Sequence, residues 1–182
     1  MARLLVLIGS ALLVACSASA EPKPFPYFET EGGRVRDLAN ALSPPEEKRL
    51  TEELDAAEAS YGPQMAVVVV PSLHDYSIED FTLSYARAWG LGDRRRNDGL
   101  LLLVAPKERK VRIEVGKWLE NSFTDVYCQH VLDAMILPRF KQGNLEAGIS
   151  AGVSELVAQM RAHPTLPAND NAAGLAASKA AS

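Results

Sequence analysis

Apolar and polar residues follow two different rhythms along this chain, and the sharpest change between them lies between Leu100 and Val115. Leu100 to Val104 is wholly apolar and follows Asp98-Gly99, the pattern of a central strand buried on both faces. In Lys110 to Val115 the residues Val111, Ile113 and Val115 alternate with Lys110, Arg112 and Glu114, which predicts a strand with one buried face. Pro106 to Arg109 is too short for a crossover helix, so the two strands form an antiparallel hairpin. With Pro106 facing Arg109 across the turn, Leu100 faces Val115 and Asp98 faces Lys117.

The remaining runs have helical or strand periods. Val35 to Ala39 leads into Ser43-Pro44-Pro45-Glu46, which reads as a capping box with proline at the first helical position. Leu50, Leu54, Ala57 and Tyr61 then mark one face of a helix that Gly62-Pro63 ends. Met65 to Val70 is a β-branched run suited to an interior strand. Ser77 and Asp80 open a second helix with a stripe of Ile78, Phe81, Tyr85 and Trp89, stopped by Gly90 and Gly92. Strand, helix and the Leu100 strand make a βαβ unit with parallel strands and a right-handed connection. Thr124 and Asp125 cap a third helix carrying Val126, Val131, Leu132 and Met135, which Pro138 is expected to break. Asn144 caps a fourth, apolar at Ile149, Val153, Leu156, Val157 and Met160, with Gly148, Ala151 and Gly152 permitting close approach to a neighbour.

The totals narrow the field. A chain of 182 residues suits one domain with tails, and a net charge of −4 gives no electrostatic case for nucleic acid. Arg94-Arg95-Arg96 is the one basic run, a solvated loop or a docking point. At the start, Arg3 and the apolar Leu4 to Leu13 make a secretory signal too short to span a bilayer. Leu13-Val14-Ala15-Cys16 resembles a lipobox, which would make 1–15 a signal peptide and Cys16 the acylated residue. Cleavage after Ala18-Ser19-Ala20 is the alternative and would leave a soluble periplasmic protein. Ser17 stands where an inner-membrane retention signal places Asp, which favours the outer membrane. Residues 16–33, with Pro22, Pro24 and Pro26, read as a tether. Residues 34–162 form the folded domain, and 163–182 read as a disordered tail without a hydrophobic anchor. Attachment to the membrane is therefore expected through the N-terminal lipid. Cys128, within the third helix, is expected to be a small buried hydrophobe.

Register also suggests where chemistry gathers. The open end of the hairpin brings together Asp98, Glu114, the loop holding Glu120, and Asp125 at the start of the third helix. Several carboxylates around one mouth suit a hard, oxygen-liganded cation such as Ca²⁺ or Mg²⁺. Each carboxylate also has a local explanation: Asp98 in a turn, Asp125 at a helix N-terminus, Glu120 in solvent. His74, His130 and His163 lie apart from this mouth and support no nucleophilic triad. The sequence shows neither a phosphate-binding glycine loop nor a zinc cluster.

Several short motifs occur in a telling order: Leu42-Ser43, the Val67 to Val70 strand, Trp89-Gly90-Leu91-Gly92, Asn97-Asp98-Gly99-Leu100-Leu101, Arg112-Ile113-Glu114-Val115-Gly116, Leu119-Glu120 and Thr124-Asp125. Together they resemble the TPM domain over about Val35 to Met160. That family includes bacterial envelope proteins and a thylakoid-lumen protein of photosystem repair. The resemblance implies an α/β fold, a three-layer α/β/α sandwich whose small mixed sheet combines the βαβ unit and the hairpin between about four helices. It also implies Ca²⁺ binding in some members and a proposed acid phosphatase activity in others. Asp98, Glu114, Glu120 and Asp125 match the family's acidic residues around its cleft. Where the family has Gly-x-Gly-Leu-Glu-Gly, this chain has Gly116-Lys117-Trp118-Leu119-Glu120-Asn121, so Trp118 is expected to crowd any backbone approach to a ligand. Lys117, facing Asp98, either neutralises a ligand carboxylate or meets a phosphate oxygen. Two functions follow as expectations: an envelope-tethered, divalent-cation-binding accessory module with an envelope protein partner, or a metal-dependent phosphatase acting on phosphomonoesters. No catalytic residue is assigned. The anchor has a direct test: Cys16→Ser should abolish incorporation of labelled fatty acid, and a label that persists in the variant refutes the lipobox.

Overall fold

A computed structural model describes residues 33–165. The signal segment, Cys16, nearly all of the tether and the tail beyond residue 165 lie outside the described residues. In chain order the elements are β1 (Val35–Asp37), α1 (Pro44–Tyr61), β2 (Gln64–Val69), α2 (Ile78–Trp89), β3 (Gly99–Ala105) and β4 (Lys110–Val115). A 3-10 turn (Lys117–Leu119), α3 (Asp125–His130), a π-helical segment (Val131–Ile136), α4 (Leu137–Lys141) and α5 (Leu145–Ala162) complete the domain.

The strands lie in the order β1-β2-β3-β4. The first three are parallel and β4 is antiparallel to β3. The expected hairpin register holds, with Leu100 opposite Val115 and Ala105 opposite Lys110. Alternation then divides the side chains of β2 and β3 between two cores. Met65, Val67, Val69, Leu100, Leu102 and Val104 pack toward α1, α5 and the α3-to-α4 rod. Ala66, Val68, Leu101 and Leu103 pack toward α2, against Phe81 and Tyr85. Every residue of β3 is buried, as its unbroken apolar run requires. Helices on both faces make this the mixed α/β sandwich that the family resemblance implied.

Three local features differ from the sequence reading. Val35 to Asp37 is a strand paired with Val67 to Val69; three residues are too few to show an alternation. The capping box of α1 does not form. The Ser43 side chain makes no cap hydrogen bond, while its backbone N–H donates to Glu146 Oε2 of α5 at 2.6 Å. Glu46 turns instead to Arg49, at 2.6 and 2.8 Å, and to the Ser150 hydroxyl of α5. Packing of α5 across the start of α1 has drawn both box residues away from each other. Pro138, finally, does not break the third helix. The rod continues through a π segment in which the Leu137 N–H donates to the Leu132 carbonyl, five residues back. The wider turns carry a residue that has no N–H of its own, and Arg139 Nη1 donates to the Met135 carbonyl at 2.6 Å.

Gly148 and Gly152 bring α5 against this rod as expected: a Cβ at Gly148 would lie 2.5 Å from the Phe140 ring, and one at Gly152 2.5 Å from Ile136 Cδ1. At the ends of the described chain, Arg34 pairs with Asp55 at 3.4 Å and also with Glu58, and the Thr165 N–H donates to the Tyr61 carbonyl at 2.8 Å. Among the described residues no helix is long and apolar enough to cross a membrane.

The Glu46 contacts make acid stability testable. The hydrogen bond from Arg49, opposed by burial and aided by Ser150, lowers the Glu46 carboxyl from 4.5 to about 2. A lowered carboxyl stabilises the fold fully above the higher value and loses that contribution as pH falls toward the lower. Thermal melts across this window should therefore show the native chain losing more stability than Glu46→Gln. Parallel curves would show that the pair contributes nothing.

Candidate functional site

The site begins with the loop joining α2 to β3. Gly90 ends α2 in the left-handed region, at φ 67°, and the chain then folds around two carboxylates. Asp93 Oδ1 accepts from the Arg95 and Arg96 N–H groups at 2.9 and 3.1 Å, and these backbone donors hold its carboxyl below the ordinary range. Asp98 is 0% exposed. Its Oδ1 accepts from the Asp93 N–H at 2.8 Å and its Oδ2 from Arg96 Nε at 2.7 Å. The Asp98 carboxylate in turn raises the Arg96 guanidinium above its usual range. Gln64 ties the loop to β2: its N–H donates to the Asp98 carbonyl at 3.2 Å, and its Oε1 accepts from the Gly92 N–H at 2.8 Å.

This loop seats the next one. A Cβ on Gly99 would lie 2.5 Å from the Leu91 carbonyl oxygen, and one on Gly116 would collide with that of Asn97. The close approach lets the Gly116 N–H donate to the Gly99 carbonyl at 2.7 Å and the Trp118 N–H to the Asn97 carbonyl at 3.2 Å. From there the chain makes its 3-10 turn, with Leu119 and Phe123 buried beneath it. Thr124 caps α3 by accepting from the Tyr127 N–H at 3.2 Å. The turn accommodates Trp118 without backbone strain. Neither Trp118 nor Asn121 takes a positive φ, because the turn is right-handed, and the Trp118 side chain is 58% exposed.

Glu114, Glu120 and Asp125 line one cavity of about 540 Å³, together with Arg112, Thr124 and Cys128. Glu114 accepts from Arg112 Nε at 2.9 Å, while Glu120 and Asp125 are exposed. Asp98, Lys117 and Trp118 do not line this cavity. Lys117 lies in the 3-10 turn, beyond the last strand pair, and the ion-pair partner of Asp98 is Arg96. Both Asp98 oxygens are already engaged, so the four carboxylates do not form one ligand set. Among the described residues no group of three or more His, Cys, Asp or Glu is placed to hold a metal.

The cavity has no activated nucleophile among its described residues. The Thr124 oxygen serves the helix cap. Burial first, and the Asp125 charge second, push the Cys128 thiol up to about 11, so it is protonated at neutral pH. This is the buried, inert cysteine the helical pattern predicted. What remains is an acidic recess with one guanidinium, suited to attracting cations or cationic side chains. Gln64, Arg96 and Arg112 are organising residues to which the sequence pattern assigned no such role, Arg96 standing there only as part of a basic run and Arg112 as part of an alternating strand. Only Arg112, alternating with Glu114 on one strand face, left a usable signal.

The family profile of the TPM domain matches residues 35–159. The N-terminal domain of a protein from P. gingivalis, solved by NMR, is 34% identical, with a TM-score of 0.68 over 73% of this chain and 87% of that one. The N-terminal domain of the cg2496 protein from Corynebacterium glutamicum is 18% identical, with a TM-score of 0.57 over 78% of this chain and 85% of that one. The BA42 protein from the psychrophilic bacterium Bizionia argentinensis is also 18% identical, with a TM-score of 0.62 over 74% and 90%. The last two similarities establish shared fold alone. No curated protein matches the chain.

Asp98 and the cavity carboxylates should separate in a stability assay. Asp98→Asn leaves an amide N–H₂ facing Arg96 in a buried site and should cost about 2 kcal/mol in urea denaturation. Glu120→Gln and Asp125→Asn, both exposed, should each stay within about 0.5 kcal/mol of the native chain. Equal losses for all three would refute the structural role given to Asp98.

Proposed function

The chain belongs to the TPM domain family, and from that membership we propose that it is an accessory binding module held at the cell envelope by an N-terminal lipid. Its cavity takes up a divalent cation, Ca²⁺ or Mg²⁺, and meets a protein partner. The observation that supports this reading is that Glu114, Glu120 and Asp125 line one cavity, although they are not gathered into a preformed set of three ligands. Hard cations favour such oxygen donors. Among the described residues the Glu120 and Asp125 carboxylates have no hydrogen-bonding or ion-pair partner, while Glu114 is shared with Arg112, so the affinity is weak. Asp98 falls outside this ligand set, and Trp118 offers an exposed apolar surface on the neighbouring turn.

The family profile carries phosphatase in its name, and a metal-dependent phosphomonoesterase is the competing reading. Lys117, exposed on the same loop as Glu120, is the side chain that would meet a phosphoryl oxygen. The absence of an activated nucleophile from the described lining favours binding over covalent catalysis.

Melting with added metal tests both readings. Ten millimolar Ca²⁺ or Mg²⁺ acting on a site of millimolar affinity should raise the melting temperature by about 3 °C. Glu120→Gln/Asp125→Asn should remove that shift, whereas Asp98→Asn should lower the starting value and keep the shift. No shift in the native chain sinks the cation reading. Turnover of p-nitrophenyl phosphate that needs the metal and is lost in Glu120→Gln/Asp125→Asn would establish the phosphatase instead.

A further inference from the structure

β4 is the terminal strand of the sheet, and its register shows which backbone groups lack a strand partner. The Gly116 N–H donates to the Gly99 carbonyl, so residues of the same parity, Lys110, Arg112 and Glu114, exchange bonds with β3. The other side of β3 agrees: the Val104 carbonyl accepts from Val70 on the β2 side. The N–H and C=O groups of Val111, Ile113 and Val115 therefore point off the edge of the sheet.

This edge forms the floor of a trough. The cavity of about 540 Å³ that holds Glu114, Glu120 and Asp125 and a neighbouring one of about 450 Å³ share Arg112, Ile113, Asp125 and Cys128. Glu79 of α2 stands on one side, and Asp125 and Gln129 of α3 on the other, with Leu132 farther along. A strand laid along the edge would alternate its side chains between two environments. One set would meet Val111, Ile113 and Val115 beside Cys128 and Leu132, all apolar. The other would meet the face of Arg112 and Glu114, beneath Glu79. Four carboxylates, Glu79, Glu114, Glu120 and Asp125, stand against the single guanidinium of Arg112.

We propose that the trough takes an extended segment of a partner protein, alternating aliphatic and basic residues, which joins the sheet as a fifth strand against β4. Main-chain bonds to Val111, Ile113 and Val115 hold the segment, and the carboxylates select its charge. The proposal rests on the reading of the chain as a binding module and adds the chemistry of the partner.

Amide exchange of the isotope-labelled full chain tests it, with a synthetic peptide of alternating valine and lysine as probe and chelator present. Exchange at Val111, Ile113 and Val115 should slow by about tenfold or more. Arg112 and Glu114, already bonded to β3, should change little. Alternating valine and glutamate should give no protection, nor should a peptide with its valines and lysines in separate blocks. Glu79→Gln/Glu114→Gln should weaken binding several-fold. The proposal is overturned by no binding at millimolar peptide, by binding that leaves the three edge amides unprotected, or by equal protection from the block peptide. Protection that rises with protein concentration alone assigns the edge to a second copy and overturns it too. A metal-dependent melting shift that survives any of these failures leaves the cation reading standing. Protection without that shift removes the cation alone.

Discussion

A carboxylate taken wholly out of water must be given partners, and in this domain that requirement falls on Asp98. Its two oxygens are met by the Asp93 N–H and Arg96 Nε, and meeting both fixes the path of the chain from α2 into β3. Without partners, a charge at that depth would cost several kcal/mol. The consequences run outward in order. The folded loop presents the Asn97 carbonyl to the Trp118 N–H, the 3-10 turn forms over buried Leu119 and Phe123, and α3 starts where Thr124 can cap it. Glu120 and Asp125 reach the cavity because of this sequence of supports. The residue that organises the site is thus separate from those that line it.

The two faces of the sheet are supported unequally. One carries α1, α5 and the π-containing rod, joined by contacts such as Ser43 with Glu146 and Glu46 with Ser150. The other carries α2, whose Phe81, Tyr85 and Trp89 rings meet in sequence. The same asymmetry leaves the Arg112 and Glu114 side of β4 less covered than the Ile113 side, where Ile113 is buried. A charged outer strand face of this kind discourages unspecific edge pairing.

Much of this could be read from the sequence because it depends on period. The apolar run of β3, the alternation of β4 and the short turn between them are local, and register follows from the turn. The cap of α2 by Ser77 and that of α5 by Asn144 were equally local, and both form. What escaped depends on partners distant in sequence, on unusual backbone or on burial that a local pattern does not reveal. Ser43 and Glu46 form a capping motif on paper, yet α5, a hundred residues on, takes both. Pro138 looks like a helix end unless a π segment is available to carry it. Asp98 looks like a ligand until its burial and its pairing with Arg96, two residues away, are known. Trp118 looks strained only if the loop needs left-handed glycines, and its turn is right-handed.

The contacts at the two ends of the described chain also set how the domain can be carried. Val35 pairs with Val67 in the middle of β2, and β2 starts beside Gly99. Arg34 grips the last turns of α1 through Asp55 and Glu58, and Thr165 is bound to Tyr61, the final residue of the same helix. Both described ends of the chain therefore lie against the last turns of α1. In the lipid-tethered arrangement proposed above, the tether would join the domain beside α1 and not at the hairpin tip.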